Sequence, residues 1–215
     1  MPHPGDPIRA VLFDAVGTLI RPEPKVAEAY LSAARRFGAD RGLSTSQVEH
    51  RFHAAFARQE AIDRDSNWVT DEARERRRWQ DIVAEVFADP PHGPQLFDAL
   101  WDHFAHAENW ALIDAAREKL AAARNAGLIV GVASNFDARL RRILADLPDL
   151  NPNARENAFF SSEIGWRKPS PNFFRAIEAT LHLSAAELLL VGDDEANDHQ
   201  AARTAGWAAE RVESA

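Results

Sequence analysis

The sequence predicts an α/β fold in which a parallel sheet is interrupted after its first strand by a bundle of helices. Three observations carry this reading. Short apolar runs at 10–13, 128–133 and 188–191 each end on polar residues, as buried strands do when they lead into a site. After residue 110, helical and strand patterns alternate, which implies right-handed βαβ units in one parallel sheet. From Lys25 to about Ala107, by contrast, the pattern is helical throughout.

Taken in order, the proline-rich start (Met1 to Pro7) reads as a loose tail, and Ile8 to Phe13 as the first strand. Arg21-Pro22-Glu23-Pro24 breaks the pattern. The first helix carries Val26, Tyr30 and Leu31 on one face and ends near Phe37-Gly38. Thr45 or Ser46 is the expected cap of the second, whose apolar face runs through Val48, Phe52, Ala55, Phe56 and Ile62. The third spans about Asp71 to Ala88 with Trp79, Ile82, Val83, Val86 and Phe87 inward. After the breaker Asp89 to Pro94, the fourth carries Leu96, Phe97, Leu100, Trp101 and Phe104.

A helix from Asp114 to Asn125, with Gly127 past its end, leads to the strand that stops at Ser134-Asn135. A helix near Ala138 to Leu147, a polar loop and a short strand at Ala158 to Ser161 follow. Pro169-Ser170-Pro171 opens the next helix, and Ser184 to Glu187 has capping-box spelling. The strand at Leu188 stops at Gly192-Asp193-Asp194, before a helix at Glu195 to Ala205 and an edge strand at Trp207 to Val212.

The composition is that of an ordinary globular chain, 46% hydrophobic and 27% charged. A net charge of -8 argues against a nucleic-acid footprint. The local run Arg74-Glu75-Arg76-Arg77-Arg78 reads as a solvated helix face, bracketed by Asp71, Glu72 and Asp81. No cysteine is present, so disulfides, thiolate nucleophiles and thiolate metal ligands are excluded. No apolar run is long enough to span a bilayer, and the expected location is the cytoplasm. His50/His53 and His103/His106 lie one helical turn apart but lack a third ligand nearby, so they read as ordinary bundle residues. Trp68, Trp79 and Trp101 read chiefly as bundle core, with the lining of a pocket as the alternative.

Asp14 stands where the first strand ends, the position at which open α/β sheets hold their ligands, and a carboxylate there can act as a nucleophile. The stretch Phe13-Asp14-Ala15-Val16-Gly17-Thr18-Leu19 resembles the first signature of the haloacid dehalogenase (HAD) superfamily, Asp-x-Asp-x-Thr-Leu/Val. It departs from that signature at Val16, where HAD phosphatases carry an aspartate as general acid and base. Ser134-Asn135 resembles the second motif and Lys168 the third, while Gly192-Asp193-Asp194-Glu195-Ala196-Asn197-Asp198 resembles the fourth. The spellings Phe-Asp-Ala-Val-Gly-Thr-Leu and Ser-Asn-Phe-Asp are most similar to the subgroup of HAD domain-containing protein 3 and its relatives.

The resemblance implies a Rossmann-like core, residues 1–20 and 109–215, with an inserted α-helical cap, residues 21–108. It also implies catalysis by Asp14 and Lys168, with Thr18, Ser134, Asn135 and Lys168 binding the phosphoryl group of a small phosphate ester. Mg²⁺ would be held by Asp14, the main-chain carbonyl of Val16 and Asp193, with Asp198 nearby or acting through water. Such a set of hard oxygens suits Mg²⁺, which keeps several waters.

The first expectation is therefore a phosphatase-type hydrolase working through an aspartyl phosphate. Losing the second aspartate costs about 10²–10⁴-fold, least for good leaving groups. A second is a 2-haloacid dehalogenase, because dehalogenases also lack that aspartate; Asp193 and Asp194 stand against it, since dehalogenases have uncharged residues there. A phosphonatase would need a lysine inside the cap, and Lys25 lies only at the cap's entrance. A third is a HAD-like binding or regulatory protein with impaired catalysis.

Overall fold

A computed structural model of the 215-residue protein describes residues 8–147 and 156–212. The proline-rich tail and most of the polar loop expected before residue 158 lie outside the described residues. Strand β1 (Ala10–Phe13) is buried along its whole length, as a central strand is when both faces of its sheet are covered. The chain turns and continues as β2 (Ile20–Pro22), then as helices α1 (Val26–Arg36), α2 (Thr45–Asp65), α3 (Glu72–Val86) and α4 (Gly93–His103). It returns through β3 (Trp110–Leu112), which pairs antiparallel with β2 so that Pro22 faces Trp110. This ribbon, three residues a side, had no sequence pattern long enough to announce it.

Then α5 (Asp114–Asn125), β4 (Ile129–Ser134), α6 (Arg139–Asp146), β5 (Ala158–Phe160), α7 (Ser161–Ile164), α8 (Pro171–Leu181) and β6 (Leu188–Gly192) follow. A π-helical turn at Glu195–Gln200 leads into α9 (Ala201–Thr204) and edge strand β7 (Ala208–Arg211). The five parallel strands stand in the order β5-β4-β1-β6-β7. Winding reverses at β1, so the carboxyl ends of β1, β4 and β6 open on a topological switch point.

The period of two decides how the core is built. Val11 and Phe13 pack with Leu120, Leu140 and Ile143 on one side of the sheet. Ala10 and Leu12 pack with Phe173, Phe174 and Ile177 on the other. Each fully buried large side chain contributes about 1.5–3 kcal/mol. The four long helices have a separate core centred on Tyr30, which meets Phe52 edge-on at 5.5 Å and also packs against Phe87 and Phe104.

Three local expectations are corrected. The cap of α2 is Ser44, not Thr45 or Ser46: its hydroxyl accepts from Gln47 N at 3.3 Å while Gln47 Oε1 accepts from Ser44 N at 2.9 Å. Ile62 is 48% exposed; Gln59 and Asp63 take the buried stripe of α2 instead. The run Arg74 to Arg78 is not a wholly solvated face, because Glu75 and Arg78, three residues apart, both point into the protein. They do so because Asp63 of α2 and Arg167, two residues beyond Gly165, supply opposite charge there: Arg78 and Arg74 pair with Asp63, and Arg167 Nη1 donates to Glu75 at 2.5 Å.

Candidate active site

The site begins where β1 runs out. Asp14 N donates to Val191 O at 2.8 Å, the last tie to the sheet before the turn. The turn closes through Leu19 N and Ile20 N, which both donate to Ala15 O at 2.8 and 2.9 Å. Gly17 has φ +94°, and any Cβ there would collide with the Asp193 carboxylate, so glycine is required twice over. Thr18, fully buried, donates its hydroxyl to Asp193 Oδ1 at 3.0 Å. The turn thus holds Asp14 and Asp193 in one place although they are far apart in sequence.

Lys168 is the cation of the site and all three of its ammonium hydrogens are accounted for. Nζ donates to Asp14 Oδ1 at 2.8 Å, Asp198 Oδ1 at 2.6 Å and Ala133 O at 2.9 Å. Its backbone is clamped by Asn135, whose Oδ1 accepts from Lys168 N at 2.7 Å and whose Nδ2 donates to Lys168 O at 2.9 Å. Asn135, expected to bind a phosphoryl group, therefore uses both ends of its amide to fix the lysine. Burial works against the ammonium, but Asp14 and Asp198 outweigh it and hold its pKa above the ordinary value.

The carboxylates outnumber that ammonium. Asp14, Asp193 and Asp198 offer oxygens within 4.8 Å of one another, and among the described residues they form the only acidic or histidine group with metal-ligand spacing. Burial raises the Asp14 pKa to about 7; Lys168 opposes this, while Asp198 and Asp193 add to it. Burial also raises that of Asp193. An all-oxygen set with excess negative charge fits a hard divalent cation such as Mg²⁺. Asp194 serves the backbone instead: its carboxylate accepts from Ala196 N and Asn197 N at 2.8 and 2.9 Å and starts the π-helical turn.

A cavity of about 360 Å³ lies over Asp14, walled on the far side by the helical bundle. Val16, Ser134, Asn135, Lys168, Asp193 and Asp198 line it. So do Trp79 and Trp101, the pocket alternative for these two, whereas Trp68 is not among the lining residues. Lys25 is exposed and not among the residues that line the cavity, so it does not supply the inward lysine a phosphonatase would need. His106 meets Asp102 at 3.3 Å, and His103 packs edge-on against Phe104 with Nε2 buried and unpartnered. Sequence reasoning missed Arg139, which forks onto Asp137 (Nε 2.8 Å, Nη2 2.7 Å), donates to Trp101 O at 3.0 Å and stacks on the Trp101 ring at 3.4 Å. Only the proximity of Asp137 was readable beforehand.

Fold and site together define an α/β protein with an inserted helical bundle, built around a carboxylate, a lysine and two further acids near the ends of parallel strands. The sequence model of the haloacid dehalogenase-like hydrolase family matches residues 8–206, and the chain belongs to that family. It is 30% identical over 207 residues to the human haloacid dehalogenase-like hydrolase domain-containing protein 3, covering 93% of this chain and 79% of that one. It is 29% identical over 208 residues to the ribulose-1,5-bisphosphate 5-phosphatase of Halopiger xanaduensis, covering 92% and 81%. Among solved structures, the L-2-haloacid dehalogenase of Xanthobacter autotrophicus, with chloropropionic acid covalently bound, has a TM-score of 0.70 at 18% identity over 95% of this chain and 77% of that one. A HAD phosphatase from Thermococcus onnurineus has a TM-score of 0.62 at 20% identity, covering 96% and 86%. No helix among the described residues is long and apolar enough to cross a membrane.

Proposed function

We propose that this chain is a Mg²⁺-dependent hydrolase of phosphatase type, with residues 1–20 and 109–215 as core and 21–108 as cap. The observation that carries the reading is the set Asp14, Asp193 and Asp198 around a single Lys168. A dehalogenating site has no use for that excess of carboxylate, whereas transfer of a phosphoryl dianion needs a cation to balance it.

In this reading Asp14 attacks phosphorus in line, the ester P–O bond breaks, and the leaving oxygen departs with its electron pair. Water then attacks phosphorus of the aspartyl phosphate and restores the carboxylate. Lys168 favours the ionised form of Asp14 against the cost of burial and offsets charge on the transferring group. Thr18 and Asn135 keep Asp193 and Lys168 in position, and Ser134 binds a phosphoryl oxygen. Asp14, the Val16 carbonyl and Asp193 would hold Mg²⁺, with Asp198 nearby; the metal would supply positive charge to the phosphoryl oxygens.

A panel of phosphate esters with and without Mg²⁺ tests the reading. Turnover should require Mg²⁺ and fall in Asp193→Asn. Halide release from 2-chloropropionate without metal, and no ester hydrolysis, would replace it by the dehalogenase reading. Neither activity would leave the binding or regulatory reading.

A further inference from the structure

We infer that the ester this site takes is an aryl phosphate: a phosphoryl group on an uncharged, aromatic leaving group. The inference rests on the phosphatase reading and adds the chemistry of the part that leaves. Three independent observations lead to it.

The first is the wall opposite Asp14. Tyr30, Phe52, Trp79, Trp101, Phe104 and Trp110 all line the cavity, so a ring held there meets aromatic faces and edges. Such contacts contribute about 0.5–1.5 kcal/mol per pair beyond the area they bury. The volume, about 360 Å³, is enough for one or two fused rings beside the phosphoryl group.

The second is charge. Among the described residues, Arg139, Arg167 and Lys168 are the lysines and arginines that line the cavity, and each is already paired. Arg139 is forked onto Asp137. Arg167 donates to Glu75 at 2.5 Å and has Nε 3.6 Å from Asp63. Lys168 is bound by Asp14, Asp198 and Ala133 O. The remaining charged side chains in the wall, Glu60, Glu75, Asp194 and the site carboxylates, are negative. A second phosphate or a carboxylate on the leaving group would be desolvated there without a counter-ion.

The third is Val16, which lines the same cavity and has no proton to give. Val16 therefore gives the leaving oxygen no help in departing, which favours a group that leaves readily as an anion. A phenol, with a pKa of about 10, does so far more readily than an alcohol.

The test compares kcat/KM, with Mg²⁺, for 1-naphthyl phosphate, acetyl phosphate, fructose 1,6-bisphosphate and phosphocholine. Naphthyl phosphate should exceed the bisphosphate and phosphocholine by at least about 100-fold. Acetyl phosphate, small and with a good leaving group, reports the phosphatase chemistry without using the aromatic wall. In Trp79→Ala the naphthyl-to-acetyl ratio should fall about tenfold, chiefly through KM for naphthyl phosphate. Phe52→Leu provides the same reading if Trp79→Ala does not fold. A bisphosphate or phosphocholine turned over as well as naphthyl phosphate, or a ratio unmoved in both variants, overturns the inference and leaves the phosphatase reading intact. If acetyl phosphate and the esters are all inert with Mg²⁺, both readings fall.

Discussion

Two buried clusters of acids and bases meet at neighbouring residues, Arg167 and Lys168. On the Lys168 side, Asp14, Asp193 and Asp198 share one ammonium. On the Arg167 side, Asp63 and Glu75 are surrounded by Arg74, Arg78 and Arg167, and Glu60 adds its charge near Arg78. Both clusters set carboxylates against cations in largely buried positions, yet the balance differs. Burial raises the Asp14 pKa to about 7, and with Asp198 and Asp193 adding to it the one ammonium of Lys168 does not bring it back down. For Glu75, burial pushes the pKa up, but Arg167 and Arg78 outweigh it and hold the group below its ordinary 4.5. An unbalanced cluster suits a cation; a balanced one ties the helical bundle to the sheet domain.

The contrast can be broken most severely at Asp14. Asp14→Asn should lower turnover by at least about 10⁴-fold while the metal-free protein melts no earlier than wild type, since a surplus buried charge has gone. Substantial activity in a sample checked for deamidation would remove Asp14 from its role. Asp63→Ala should do the opposite. It strands Arg78 without its partner and should cost about 3–5 kcal/mol in urea unfolding, because breaking a buried pair leaves an uncompensated charge. A loss below about 1 kcal/mol, the range of exposed pairs, would mean that the cap-side cluster is not under strain to stay paired.

A smaller effect is expected at Val16, which sharpens the chemistry on one side only. Val16→Asp should raise hydrolysis of alkyl phosphates by at least about tenfold, a conservative share of an acid/base contribution. Rapid mixing would separate formation of the aspartyl phosphate from its breakdown, and no gain in either step would show that a missing proton donor does not limit the site. The smallest effect belongs to Glu75. Because its folded pKa is depressed, the stability it contributes is present above pH 4.5 and is lost as pH falls through the folded value. The Tm difference between wild type and Glu75→Gln should therefore be full above pH 4.5 and shrink in acid; a difference that grows in acid would mean that the folded pKa is raised instead.

How legible each cluster was follows from how its residues are spaced. Asp14, Ser134, Lys168 and Asp193 each sit beside a strand end or loop with recognisable neighbours, so the sequence pointed to them and the structure brings them together around one cavity. Gly17 could be foreseen as a turn, but not as the only residue that leaves room for Asp193. The Arg167 side was unreadable because Glu75 and Arg78 sit in a run of charges that local pattern assigns to solvent. Their burial depends on Asp63 and on Arg167, which is 92 residues from Glu75. The same holds for Ile62 and Asp63: adjacent positions on α2 exchanged the places hydrophobicity would give them, because only the acid had a buried partner. Helix bounds were nearer to hand than caps, since Ser44, Thr45 and Ser46 are all acceptable spellings and the reciprocal bonds between Ser44 and Gln47 select the first.

The ribbon of β2 and β3 has a consequence for how such a protein can be altered. Pro22 and Trp110 are ladder partners, so the stretch between them leaves and re-enters the sheet domain at one doorway. Whatever occupies that stretch, its two ends are already held together, and lengthening it adds only about 0.6 kcal/mol of closure entropy per doubling. The helices thus hang from one fixed socket, with Asp63 and Glu75 as their buried tie to Arg167. Replacing them from Glu23 to Asn109 changes the roof over Asp14, while the pairing of β1 with β4 and β6, which places Asp14, lies outside the replaced stretch.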